Sequence, residues 1–138
     1  MNAALKPDFA RTQAFLGAKH GLLINNEWLQ PRAGGSIEVL NPATGKVLGH
    51  AAAGGAEDID LAVRAARNAF ENGPWPAMPP VARARLLWKL ADLIEQAADE
   101  IGQVLSLDNG MPFGMARFAG ALGTANGRRY TAGWSGKV

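Results

Sequence analysis

The sequence predicts an α/β chain, with a β-hairpin and short strands at the front and helices behind. Three observations carry this expectation. First, the apolar runs Leu22-Leu23-Ile24 and Glu27-Trp28-Leu29 are joined by Asn25-Asn26, a pair that tolerates positive φ and marks a two-residue hairpin turn. Second, Ile37 and Val39 alternate with polar neighbours in Ser36-Ile37-Glu38-Val39-Leu40, the period-two pattern of a strand. Third, the period lengthens beyond Gly54-Gly55, where Ile59, Val63, Ala66 and Phe70 recur at helical spacing.

The elements follow in order. Residues 1–20 read as an arm, loosely docked or poorly ordered, with one short helical turn; residues 21–138 form the domain proper. Gly34-Gly35 makes a turn after the hairpin, and Asn41-Pro42-Ala43-Thr44-Gly45 has tight-turn chemistry between the Ile37/Val39 strand and a fourth strand over 46–53. Glu57 and Asp58 sit where the macrodipole of the first long helix favours acids, and Asn72-Gly73-Pro74 stops it. Trp75 follows in a Pro-rich loop, and Pro80 suits the first turn of a second helix. That helix carries Leu87, Leu90, Ile94 and Ala97 along one stripe, which Leu86 and Leu93 broaden, so burial on two sides is expected. Asp99 is expected to cap a third helix, which Asn109-Gly110 closes. A last helix over 114–134 is weakened by Gly120, Gly123 and Gly127, each costing about 0.5–1 kcal/mol relative to Ala.

Composition removes several function classes. The 138 residues are 48% apolar and 19% charged, as in ordinary globular proteins. The net charge of +2 comes from scattered bases without interleaved aromatics, so no nucleic-acid partner is expected. Cysteine is absent, which excludes disulfides, thiolate metal sites and thiol catalysis in this chain. No apolar run approaches the roughly 20 residues of a bilayer span, so no membrane partner is expected either. Asp8 stands among Lys6, Arg11 and Lys19 without a continuous apolar stretch, and the cytoplasm is the expected compartment.

Residues that carry chemistry are few. His20 and His50 stand far apart and read as surface or hydrogen-bonded side chains. No glycine-rich phosphate cradle follows a strand. Glu95, Asp99 and Glu100 read as a solvated helix end, and Trp28, Trp75, Trp88 and Trp134 as packing anchors.

Taken together and in order, however, these segments resemble the aldehyde dehydrogenase superfamily. The landmarks are Ile24-Asn25-Asn26-Glu27-Trp28, the Asn41 to Gly45 turn, Glu57-Asp58-Ile59-Asp60 with Ala62-Val63 and Ala65-Ala66-Arg67, and Gly73-Pro74-Trp75. Arg83-Ala84-Arg85-Leu86-Leu87, Leu90-Ala91-Asp92-Leu93-Ile94, Leu107-Asp108-Asn109-Gly110, and Tyr130 with Ala132-Gly133-Trp134 complete the series. The resemblance implies part of a dinucleotide-binding domain, an incomplete Rossmann-type domain whose main strands come later in the family's sequences. It implies oxidation of an aldehyde to a carboxylate with NAD or NADP, through a Cys nucleophile, a general-base Glu, an oxyanion-hole Asn and a Gly-rich cofactor turn that all lie downstream in the family. No catalytic or cofactor-binding residue is therefore carried over, and no cofactor is expected on this chain alone.

Two smaller implications attach to residues present. Some family members hold a monovalent cation at positions matching Val39, Leu40 and Asp108, through hard oxygen ligands. The family's last helix in this segment lines the aldehyde tunnel, with Ala119 and Gly123 at the matching positions; both are small, which implies room for bulky or aryl aldehydes. The chain departs from the family's usual pattern at Arg128, where an aromatic is common, at Leu105, often Glu, at Met111, often Lys, and in its three late glycines. The reading that results is the N-terminal portion of an NAD(P)+-dependent aldehyde dehydrogenase, truncated and catalytically silent by itself. Its expected partners are the aldehyde, the remainder of the dehydrogenase, or further copies in a homo-oligomer. The rival reading is a non-catalytic, stand-alone domain that binds a partner chain through exposed apolar helix faces.

Overall fold

A computed structural model describes residues 9–137. Helix α1 (Ala10–Gly17) precedes strands β1 (Leu22–Ile24), β2 (Glu27–Leu29), β3 (Gly35–Leu40) and β4 (Val47–Ala53). Helices α2 (Ala56–Asn72), α3 (Pro80–Gln96) and α4 (Ala98–Asn109) follow, then the short α5 (Phe113–Met115), a π-helical segment Ala116–Leu122 and α6 (Gly123–Ala132).

The strands form where the residues dictate. Asn25 and Asn26 take φ of 50° and 64°, the left-handed pair that a tight hairpin needs, and set Leu22 opposite Leu29 and Ile24 opposite Glu27. β3 and β4 pair antiparallel from Gly35 opposite Ala53 to Leu40 opposite Val47, with a bulge after Val39. The two sheets are separate, two-stranded and antiparallel; no parallel strand pair occurs among the described residues.

The helices start and stop for local reasons. Gly55 precedes α2 in extended conformation, and the Asp58 carboxylate accepts its N–H at 2.9 Å, supplying the N3 half of a capping box. Pro80 opens α3 at a position where its missing N–H costs nothing. Gly110, at φ 77°, closes α4 in the left-handed conformation.

Four expectations need correction. The part of the arm that is described holds a two-turn helix, docked rather than loose: Thr12 is buried and its hydroxyl donates to Gln103 Oε1 of α4 at 2.5 Å. Residues 1–8 of the arm lie outside the described residues, as does Val138. Asp99 does not cap α4, since Ala97 occupies the cap; its carboxylate instead receives Arg117 Nε from the π-helix. The stripe on α3 is buried on one side only. Ala91 is enclosed and Leu87 and Ile94 half-buried, while Leu86, Leu90 and Leu93 face solvent, because no described element lies over them. The glycine-containing last helix is not uniformly α: residues 116–122 wind as a π-helix before α6 resumes.

The core is small. α3 lies along α6 and α4 along the π-helix, and the enclosed residues of this layer are Gly102, Gln103 and the alanines Ala91, Ala98, Ala116, Ala121, Ala125 and Ala132. Ion pairs stitch its rim. Arg129 donates to Asp92 at 2.8 Å and also to Glu95, with its guanidinium 5.7 Å from the Trp88 ring centroid. These hydrogen bonds, to Asp92 first and then Glu95, hold the Arg129 pKa above its ordinary value.

Candidate functional site

Small residues let backbones close on one another around one groove. Any Cβ on Gly49 would sit 2.6 Å from Leu16 O, and one on Gly21 would sit 2.4 Å from Leu29 O. Glycine at these two positions brings the end of α1 against β4 and the start of β1 against β2. Beside them opens a groove of about 680 Å3, whose lining includes Phe15, His20, Trp28, Val39, His50 and Asp108.

The ring of His20 holds one wall in place. Its Nε2 lies 2.6 Å from Phe15 O, its centroid 4.3 Å from Phe15 and 6.5 Å from Trp28. Sequence separation hid that His20 and His50 border one groove; the only signal available was Gly21 and Gly49 beside each of them. Among the described residues, no group of three or more His, Cys, Asp or Glu side chains converges as a metal site.

The five residues singled out from sequence fall into two places. Val39 and Asp108 border the groove together, whereas Leu40 does not line it and is exposed. The bulge between β3 and β4 interrupts the ladder at Val39 and Leu40, where a carbonyl would have to turn from strand pairing to reach an ion. Asp108 is an exposed carboxylate in the last turn of α4, one residue before its end at Asn109.

Ala119 lies within the π-helix and Gly123 at the first position of α6; both are exposed. Met115, Phe118 and Tyr130 are also exposed along this helical rod, so it presents a face of large apolar groups with two small gaps. Single-turn π distortions are frequent at functional sites, because the extra residue re-aims the side chains that follow. No glycine-rich turn runs from a strand into a helix with the spacing of a phosphate cradle, and the Gly54-Gly55 turn leads into α2 capped by an acid.

The sequence model described as the aldehyde dehydrogenase family matches residues 28–138. Aldehyde dehydrogenase 1 of Tanacetum cinerariifolium is 46% identical over 117 residues, covering 85% of this chain and 23% of that protein. Aldehyde dehydrogenase family 2 member B4, mitochondrial, of Arabidopsis thaliana is 42% identical over 117 residues, 85% of this chain and 22% of that one. The NAD+ complex structure of aldehyde dehydrogenase from Bacillus cereus superposes with a TM-score of 0.88 at 43% identity, over 100% of this chain and 28% of that one. The chain thus spans about a quarter of the length of the relatives it matches.

Proposed function

The chain belongs to the aldehyde dehydrogenase family, and from that premise we propose that it is the N-terminal portion of an NAD(P)+-dependent enzyme that oxidises aldehydes to carboxylates. The observation that carries this reading is coverage: the backbone agrees, with a TM-score of 0.88, with about a quarter of a dehydrogenase solved in complex with NAD+. The solvent-facing Leu86, Leu90 and Leu93 of α3 support it, since they suit a helix meant to lie against further structure.

By itself the 138-residue chain is catalytically silent. Thioester chemistry needs a thiolate, and the sequence holds no Cys. The nicotinamide cofactor, when bound, accepts hydride; this chain contributes the scaffold beside it and none of the phosphate-binding turn. Within that scaffold Val39, Leu40 and Asp108 hold a monovalent cation, and Ala119 and Gly123 border the aldehyde's path, where their small size admits bulky or aryl substrates.

The test has two arms. Purified chain mixed with NAD+ or NADP+ and an aldehyde series should give no steady increase in absorbance at 340 nm; sustained turnover overturns the silent reading. The matching quarter of the Bacillus cereus enzyme is then replaced by this chain. That chimera should be active, and relatively more so on aryl than on short aliphatic aldehydes. A folded but inactive chimera refutes the enzymatic assignment.

The exposed apolar helix faces also favour a second reading, a non-catalytic domain that binds a partner chain. A chimera that fails while the free chain melts cooperatively and binds no nicotinamide favours that reading.

A further inference from the structure

Helix α1 packs on two elements at once, α4 on one side and β4 on the other. On the α4 side the contact is dry and polar. Thr12 is 1% and Gln103 2% exposed, and the Thr12 hydroxyl donates to Gln103 Oε1 at 2.5 Å. Arg11 adds an exposed ion pair with Glu100 at 2.7 Å, one helical turn before Gln103. On the β4 side the contact is backbone to backbone. The Leu16 carbonyl oxygen would stand 2.6 Å from a Cβ on Gly49, so α1 sits this close to the strand because Gly49 has none.

The two contacts fix α1 in different ways. A buried polar pair specifies register, since a slide of α1 along α4 would leave Thr12 and Gln103 unpaired in a closed place. The glycine contact specifies distance, since a bare backbone face admits no gap filler. Between the two, α1 is a continuous hydrogen-bonded helix from Ala10 to Gly17, too short and stiff to absorb a shift at one end. Direct packing of α4 on the β3–β4 pair is slight among the described elements, as where Pro42 of the turn approaches Gly110. The groove described above lies where the three elements meet: Phe15 and Leu16 come from α1, Val39 and Gly49 from the strands, Val104 and Asp108 from α4.

We infer that α1 is a strap that couples the β3–β4 hairpin to α4, so that loosening either contact loosens the element at the other end and opens the groove between them. The coupling runs through a rigid packed element held at both ends, and it is reciprocal. It involves neither cofactor nor aldehyde, and its failure would leave the enzymatic proposal standing.

Hydrogen–deuterium exchange of the 138-residue chain, read segment by segment, tests it by perturbing one end and observing the other. Gly49→Ala pushes the Leu16 carbonyl from β4, and amides of α4 around Gln103 should then exchange about tenfold faster than in wild type. Gln103→Leu takes the acceptor from Thr12, and amides of β4 from Leu48 to Ala51 should gain by a similar factor. Thr12→Val keeps both outer elements intact and should speed exchange in both. Gly102→Ala is the control, because it disturbs α4 on the face toward Arg117 and away from the strap; it should speed exchange in α4 and leave β4 unchanged. Circular dichroism of each variant separates a loosened contact from a lost fold, and any one of the three strap variants that folds suffices. Effects confined to the mutated element would overturn the inference. So would a β4 response to Gly102→Ala as large as that to Gln103→Leu, or a wild-type chain without protection in α4 and β4.

Discussion

Asp58 shows how much one buried carboxylate can organise. It is 4% exposed, accepts Gly55 N–H at 2.9 Å, and accepts the backbone N–H of Arg32 through both oxygens at 3.3 Å. It therefore caps α2 and ties that helix to the loop after β2. Asp58→Ala would leave these donors unpaired in a half-buried place, and a loss of about 1–3 kcal/mol is expected in urea unfolding; a loss under 0.5 kcal/mol would contradict the capping role. The sequence made the favourable position of Asp58 in the helix dipole legible. It could not reveal Arg32, 26 positions away, because the pairing depends on where the hairpin lies. Thr12 repeats the lesson. Thr12→Val removes the hydroxyl that donates to Gln103 Oε1 in a closed site and should cost about 1–2 kcal/mol by the same measurement. Arg129 gives a pH prediction. Its pKa is raised by Asp92 and Glu95, so its contribution is fully present below the ordinary arginine value and is lost only as pH climbs through the still higher folded one. The melting-temperature difference between wild type and Arg129→Gln should accordingly stay constant between pH 7 and 10.

At the scale of elements, glycines that look alike in sequence do different things. The late run of Gly120, Gly123 and Gly127 reads as three weak points in one helix, yet a Cβ on Gly127 meets nothing within 4 Å, and one on Gly120 meets only the tip of Leu105. Gly102, unremarked in the sequence, is the one that matters: its Cβ would fall 2.9 Å from Arg117 Cα, backbone against backbone, where α4 crosses the π-helix. Gly127→Ala should therefore raise stability by about 0.5–1 kcal/mol. Gly102→Ala should lower it by about 1–3 kcal/mol and loosen the Arg117–Asp99 pair. Thermal melts of the two variants decide this, and equal effects would sink the packing argument. Element type was legible wherever local chemistry governs, as at Asn25-Asn26, Pro80 and Gly110. Burial was less so. The α2 and α3 stripes were visible, but what covers them is a property of neighbours, and the chain supplies few.

That shortage sets the behaviour of the whole molecule. A 14.5 kDa chain is expected to expose about 6,900 Å2 when compact and about 21,000 Å2 when unfolded, whereas this one exposes 10125 Å2. Among the described residues, six of the seven enclosed apolar residues are alanines, which bring little apolar area out of water. Denaturant sensitivity scales with the surface released on unfolding, so the urea m-value should be about three-quarters of that of a compact domain of this length. Adding the absent three-quarters of a relative, as in the chimera, should raise m per residue, because Leu86, Leu90 and Leu93 then leave water. An m-value already at the compact level in the free chain would mean that these stripes close on each other in solution, and the case for a missing partner surface would fall with it.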